Sequence, residues 1–513
     1  MQALAGIGLV IVPITFAFFG WYVSRLSLNR AWDWAQFASF FALAASIIVA
    51  AVAWLTENKL ELLVFKETTL GLILQIVVSF IALVVLKFSR QYFEGEKNQQ
   101  HYLALVQFTM ASVGFVAISN HLVMFFIAWM WISLCLHQLL MFYPERPRAV
   151  LAAHKKFLCA RLAESLLFIA FTLLTIEHGT FYIDDILVFY PTESVPWKSQ
   201  VAAVLLGCVA LIKCAQLPLH GWLIQVVENP TPISAVLHGG VINLGGFLLM
   251  MFGPLFLSVT AAQWLIVIVA GISTVLAALI MATRVSIKVR LAWSTSAQMG
   301  IMLIECALGL FELAVMHLVA HSCYKAYAFL ASGSEVERYL GEQLSPAKAI
   351  NVVDFVVSLV IAASLTGVTA FLFYGLFDFH VVSPWILMAI ALTLLFAQRH
   401  SQNYMADLKS WVLYGTGLLV SYSVLKLGFA QLMPDVQASA GYKADLFVCV
   451  LLVVSFIFSK ILKFFYDHEK VQIINAYLFA GLYLDEWATK VTLRLWPRQL
   501  PKWANAKKRR SLQ

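Results

Sequence analysis

The sequence predicts an all-α polytopic membrane protein with about fourteen to fifteen transmembrane helices. Three observations carry that expectation. Of 513 residues, 61% are hydrophobic and 12% charged, and the mean hydropathy is +0.84; soluble domains carry about twice that charge fraction. The apolar runs are too long and too closely spaced for a buried soluble core, and they lack the alternation of barrel strands. Basic residues recur in the loops after spans one, three, five and nine, all on one side, as the positive-inside rule expects of a chain crossing back and forth.

In order, the expected spans are 3–23, 35–55, 68–88, 103–119, 121–142, 157–176, 201–226, 232–256, 262–283, 290–309, 313–332, 351–376, 382–398, 411–431 and 444–465. The N-terminal stretch lacks the basic region and cleavage site of a signal peptide and reads as the first span. Only Asn120-His121 separates the fourth span from the fifth. Arg25 and Arg30, then Lys87, Arg90 and Lys97, then Arg146, Arg148, Lys155 and Lys156, then Arg284, Lys288 and Arg290 fall on one side. The loop after span six holds Glu177, Asp184, Asp185 and Glu193 against Lys198. This places the N-terminus outside and the C-terminus in the cytoplasm.

The net charge of +8 reports those loops and a basic tail, and gives no reason to expect nucleic acid. Cys135, Cys159, Cys208, Cys214, Cys306, Cys323 and Cys449 stand singly in apolar segments without a CxxC pair. That pattern argues against a metal site, an iron–sulfur cluster or a disulfide framework, and no cofactor is expected on this chain.

Span seven draws the most attention. Lys213 lies within it, and Pro218 five residues on has no N–H for the carbonyl of Cys214, so the helix should break there. Gly221 should add looseness. An ionisable group beside freed backbone in a spanning helix marks an ion path by default. Thr231-Pro232 reads as N-cap and first residue of the next helix, which carries His238. In span six, Arg161 and Glu164 share a face; Glu164 either pairs structurally with Arg161 or faces Lys213 and tunes it. In span eleven, His317, His321 and Lys325 recur every four residues along one stripe. Packing histidines, a metal pair or a hydrated proton relay ending on Lys325 would each fit, and the relay is favoured. His238 either bridges Lys213 to that stripe or packs beside Gly239 and Gly240. His137, Glu305, Glu312, Asp354 and Lys426 read as solvated or structural.

Beyond span fifteen, Ile474, Tyr477, Leu478, Leu482 and Trp487 can share one face of an interfacial or docking helix. Lys507-Lys508-Arg509-Arg510 then forms a basic end suited to anionic lipid. No nucleophile–base pair or nucleotide loop suggests an enzyme.

KCAQLPLHGWL (213–223), NPTPISAVLHGG (229–240), KVRLAWSTSAQMG (288–300) and MHLVAHSCYKAYAFLASGS (316–334) resemble the antiporter-like subunits of respiratory complex I and of Mrp sodium/proton antiporters, nearest to the L-type subunit. The resemblance covers about residues 100–335. It implies two inverted five-helix repeats, each with a broken helix and an ion site near the midplane. Helices one to three would occupy 1–100, the first repeat (helices four to eight) 101–258, the second (helices nine to thirteen) 259–405, and the C-terminal helices with the interfacial tail 406–513. The resemblance makes Lys213 the broken-helix lysine, Lys325 the central connecting lysine, and His238, His317 and His321 the relay.

The chain departs from that pattern in three ways. The helix-five glutamate expected after a tryptophan is absent, since Trp129 is followed by Met130, and Glu164 is the nearest substitute. Residues 364–379, in the second expected broken helix, carry no charge before Asp378. The chain is also too short for a long lateral helix and a further anchor. With these departures, INAYLFAGLYLDEWATKVTLRLWP (474–497) looks most like the membrane subunit of DAB-type inorganic carbon accumulation systems (DabB, or MpsA). That resemblance implies proton or sodium flow through this chain, in a bacterial inner membrane. The flow would drive vectorial hydration of CO2 to bicarbonate by a cytoplasmic, zinc-containing DabA-like partner. The rival readings are a subunit of a respiratory or Mrp-type complex and a membrane scaffold that conducts nothing.

Overall fold

The computed structural model describes residues 2–56, 60–190, 194–344, 352–377, 381–397, 404–432 and 441–496. Asp378 and Glu193, and the basic end at residues 507–510, lie outside them. Two long helices open the chain, α1 (Gln2–Val23) and α2 (Leu28–Thr56). A two-residue hairpin follows, β1 (Glu61–Leu62) against β2 (Phe65–Lys66). Lys66 bridges Glu61 at 3.0 Å and also binds Asp184, tying the hairpin to the loop beyond the sixth span. Partial burial opposes the charge on Lys66, but the hydrogen bonds to Asp184 and Glu61 outweigh it and raise the pKa above its ordinary value.

α3 (Thr69–Tyr92) starts where the Thr68 hydroxyl accepts from the Gly71 N–H at 3.0 Å. α4 (Gln99–Ile118) and α5 (Leu122–Leu140) divide at Ser119–His121, where the Asn120 side chain accepts from the Asp184 N–H. α6 (Pro147–His178) is 32 residues long, with Pro147 in its first turn and Gly179 at φ 68° closing it. It begins ten residues before the expected span, so Lys155 and Lys156 are helical and buried rather than exposed in a loop.

The short α7 (Ile183–Leu187) leads to the interrupted region: α8 (Trp197–Lys213), α9 (Gly221–Gln225), α10 (Thr231–Gly239), α11 (Leu244–Met251) and α12 (Gly253–Leu257). Thr231 is the first residue of α10, not its cap; Pro230 holds that place, and the Thr231 hydroxyl accepts from Lys288 Nζ at 2.8 Å. The eighth span is itself interrupted by a 3-10 turn at Val241–Asn243.

α13 (Thr260–Ala282), α14 (Ile287–Ala307), α15 (Phe311–Leu330) and α16 (Glu335–Leu344) follow. Then come α17 (Val352–Phe377), α18 (Ser383–Phe396), α19 (Tyr404–Ala430) and α20 (Gly441–Phe464). The second break implied by the resemblance does not appear: α17 runs as one helix of 26 residues. It contains no proline, and its Gly367 faces open space.

Among the described residues, eleven stretches are long and apolar enough to cross a membrane. The α8–α9 pair, α14, α15 and the shorter α18 take the places of the other four expected spans. The protein is a multi-pass α-helical membrane protein. Its main apolar core joins α1–α15 and α20, while α17–α19 share a smaller cluster.

The tail is two helices, α21 (Glu469–Phe479) and α22 (Glu486–Leu495). Gly481 at φ 68° and Leu482 at φ 54° turn the chain between them, so no single face unites the five apolar residues. Ile474, Leu478 and Leu482 pack on the bundle, whereas Tyr477 and Trp487 are exposed.

Close approach at the break depends on glycine. A Cβ on Gly245 would sit 2.5 Å from Cys214 Sγ and 2.8 Å from the Ala210 carbonyl. Gly245→Ala should therefore cost about 1–3 kcal/mol by overpacking. Melting in detergent, followed by tryptophan fluorescence, should show that loss, with Gly367→Ala in open space as the unaffected control.

Candidate ion-translocation site

α8 ends at Lys213 itself, because Cys214 leaves the helix and Ala215 takes φ +51°. Pro218 lies in the turn that follows, and the Leu217–Pro218 peptide is cis. Lys213 is thus the last helical residue before the gap.

Backbone exposed by such a gap needs partners in the absence of water, and neighbouring helices supply them. The Gln216 side-chain amide donates to the Cys214 carbonyl at 2.8 Å and the Ser296 carbonyl at 3.1 Å. The Ser296 hydroxyl donates to the Ala215 carbonyl at 2.9 Å, and the Leu217 N–H donates to Ser273 Oγ at 3.1 Å. Gly221 is not a loosening residue. It opens α9, and a Cβ there would overlap the Asp485 carboxylate, so glycine is needed for close approach.

Lys213 is buried, with its ammonium 4.7 Å from the centre of the Trp129 ring. The ammonium faces this ring, while Met130 holds the position of the expected helix-five glutamate. Glu164 pairs directly with Arg161 at 2.7 Å, and both lie within electrostatic range of Lys213. The two roles considered for Glu164 are therefore compatible. Lys156, buried on α6, donates to the Ser133 carbonyl at 2.7 Å and lines a cavity of about 20 Å³ together with Lys213. That volume suits about one water molecule.

The other expected residues form a second cluster. Lys325 is fully buried and donates to Ser294 Oγ at 2.7 Å and the Leu291 carbonyl at 3.3 Å. His317 and His321 stack with ring centres 6.0 Å apart, and His317 Nδ1 meets Glu305 Oε2 at 3.1 Å. Glu305 thus has a partner that its position near a helix end did not suggest. His238 belongs here rather than beside Lys213. Its ring stacks on Phe329 at 4.3 Å, and it interacts electrostatically with Lys325 and His321. Thr295 Oγ1 gives its only hydrogen to the Leu291 carbonyl, so His238 Nδ1, 3.1 Å away, must donate to it. His238 Nε2 and both His321 nitrogens are buried without a protein hydrogen-bond partner among the described residues.

Three consecutive hydroxyl residues on α14 link the clusters: Ser294 holds Lys325, Thr295 holds His238 and Ser296 holds the broken backbone. These residues sit inside the segment KVRLAWSTSAQMG, but their role has no sequence signature beyond a run of small hydroxyls. Lys426, far along α19, is buried with its ammonium 5.3 Å from the Phe373 ring.

A family model described as NADH:quinone oxidoreductase/Mrp antiporter, TM, matches residues 119–344, the stretch that holds both clusters. The chain is 43% identical over 515 residues to the probable inorganic carbon transporter subunit DabB of Hydrogenovibrio crunogenus, covering 98% of this chain and 96% of that one. The chain belongs to the DabB family. DabB2 of Halothiobacillus neapolitanus is 31% identical over 91% of this chain and 89% of its own. Chloroplast NAD(P)H-quinone oxidoreductase subunit 5 of Glycine max is 31% identical over 59% of this chain and 41% of its own, which places DabB proteins within the wider antiporter-like group. Two solved assemblies share the fold. The archaeal membrane-bound sulfane sulfur reductase matches with a TM-score of 0.60 at 15% identity, over 94% of this chain and 99% of that one. The Mrp complex from Dietzia matches with a TM-score of 0.53 at 18% identity, over 99% of this chain and 59% of that one.

Gln216 caps the Cys214 carbonyl of the gap and ties it to the Ser296 carbonyl of α14. Gln216→Leu should leave the Cys214 carbonyl unpaired at a cost of about 1–3 kcal/mol. A melting temperature in detergent equal to the parent's would contradict that assignment.

Proposed function

We propose that this chain is the ion-translocating membrane subunit of an inorganic carbon transport complex. Ion flow through it would drive vectorial hydration of CO2 to bicarbonate by a zinc-containing, DabA-like partner on the cytoplasmic face. The observation that carries the reading is Lys213, a buried ammonium at the point where a spanning helix comes apart, lining a cavity with a second buried lysine.

A buried lysine beside a carboxylate can hold its proton, and the same lysine without that influence sheds it. Glu164, already paired to Arg161, supplies that influence. Moving the Arg161–Glu164 pair toward or away from Lys213 would load or release a proton. Lys325, His238, His317 and His321 continue the path, because imidazoles take up and give back protons near neutral pH. Amines and imidazoles are proton carriers rather than sodium ligands, which favours a proton as the cargo. Hydration of CO2 yields bicarbonate and a proton, so a partner running it in one direction needs a sink for that proton.

The membrane is a bacterial inner membrane. The N-terminus lies outside and the C-terminus in the cytoplasm, on the placement of Arg25, Arg90, Arg148 and Arg284 in loops and helix ends on one side.

Lys213→Ala should abolish energised bicarbonate uptake in cells that depend on the complex, while the zinc partner still co-purifies in mild detergent. Normal uptake by an assembled Lys213→Ala complex would reject the role of Lys213.

A further inference from the structure

The tail does more than cover apolar surface. Its Asp485, between α21 and α22, inserts a carboxylate into the break from the side carrying the start of α6. Lys155 Nζ donates to Asp485 Oδ2 at 2.6 Å, and Gln225 Nε2 donates to the same oxygen at 2.8 Å. Gly221 lies so close that any side chain there would collide with this carboxylate. Lys155 is 2% exposed and Asp485 29%, so a buried ammonium meets a half-buried carboxylate. An anchor would need only the apolar contacts of Val471, Ile474 and Leu478. A partly buried carboxylate adds a desolvation cost that anchoring does not require.

Two cavities meet beside it. The smaller, about 20 Å³, is lined by Lys213 and Lys156. The larger, about 180 Å³ and half open, is lined by Lys155, Gly221 and the α22 residues Trp487 and Val491. Cys159 and Trp222 line both, so these two side chains are the partition. On the partition, the Trp222 indole N–H is buried with no acceptor among the described residues; Asp485, against Lys155 and Gly221 of the larger cavity's wall, has its Oδ1 buried without a donor. Both are ready to bind water. Across the smaller cavity, Lys156 and Lys213 lie within electrostatic range of each other. His220 and Arg284 share the neighbourhood of Asp485.

We propose that the tail is part of the ion path: Asp485 is the proton-exchanging group at its tail-side mouth, joined to Lys213 through Lys156 and past Trp222 and Cys159. The inference rests on the translocation reading above. The Lys213 ammonium gives its proton to the neutral amine of Lys156 across the small cavity. Water at the partition passes it to the Asp485 carboxylate, and the resulting carboxylic acid loses it to solvent. The reverse sequence loads Lys213. Lys155 and Gln225 are positioning residues that hold the carboxylate at the mouth. A partner bound to the tail would shift Asp485 directly, which gives the complex a mechanical link to the path.

The test uses the intact complex in proteoliposomes, with an internal pH dye and an imposed membrane potential. Asp485→Asn keeps the shape and one acceptor oxygen but cannot exchange a proton. It should slow proton flux by at least about tenfold in a complex that still assembles with its partner, and Asp485→Glu should restore most of the flux. Wild-type flux in Asp485→Asn, with Lys213→Ala inactive, overturns this inference alone. Loss of the partner in Asp485→Asn without rescue by Asp485→Glu also overturns it, in favour of a purely structural tail. Wild-type flux in Lys213→Ala would instead remove the translocation reading beneath it.

Discussion

A helix that opens inside a bilayer must find new partners for the backbone groups it frees, because lipid offers none. That constraint organises this protein. The gap after Lys213 is held open by Gln216, Ser273 and Ser296, from the gap itself and from α13 and α14. Each of these bonds fixes a neighbouring helix against the break. Gly245 and Gly221 allow the close approach that such bonding needs, one toward Cys214 and the other toward Asp485. The ionisable residues occupy the polar seam this arrangement creates, where a charge costs far less than in hydrocarbon.

The seam is continuous in its supports rather than in its titrating groups. Adjacent hydroxyls on α14 hold the broken backbone, His238 and Lys325, so the two clusters cannot shift independently without breaking bonds to one rigid helix. Coupling between sites travels through such packed elements when they have two arrangements available. This chain keeps the shared helix while α17, whose one charged residue is Asp354 in its first turn, stays unbroken. The ionisable residues of the two clusters lie on α6, α8, α10, α14 and α15.

Much of the fold and part of the site were readable in the residues. Long apolar runs set the spans, and Pro218 marked the gap, because a missing N–H and a ring clash act locally. The four-residue spacing of His317, His321 and Lys325 put them on one stripe for the same reason. Misreadings arose where partners come from afar. Lys155 and Lys156 resemble loop lysines until α6 is seen to start at Pro147 and bury them. Glu305 looked unpaired because His317 reaches it only once α14 and α15 fold together. Gly221 looked like slack because Asp485, its neighbour in space, lies far along the chain.

Sequence alone determined that the chain is a membrane bundle of this family and which residues bear charge inside it, since hydropathy, proline geometry and helical period are properties of short segments. Tertiary structure decided which charges meet. It set the Lys213 ammonium against the Trp129 ring and put His238 within electrostatic range of Lys325 and His321. It also brought the tail's Asp485 to the mouth of the break. Those outcomes depend on helix packing across the bundle, where one buried contact is chosen among many that a local pattern permits equally.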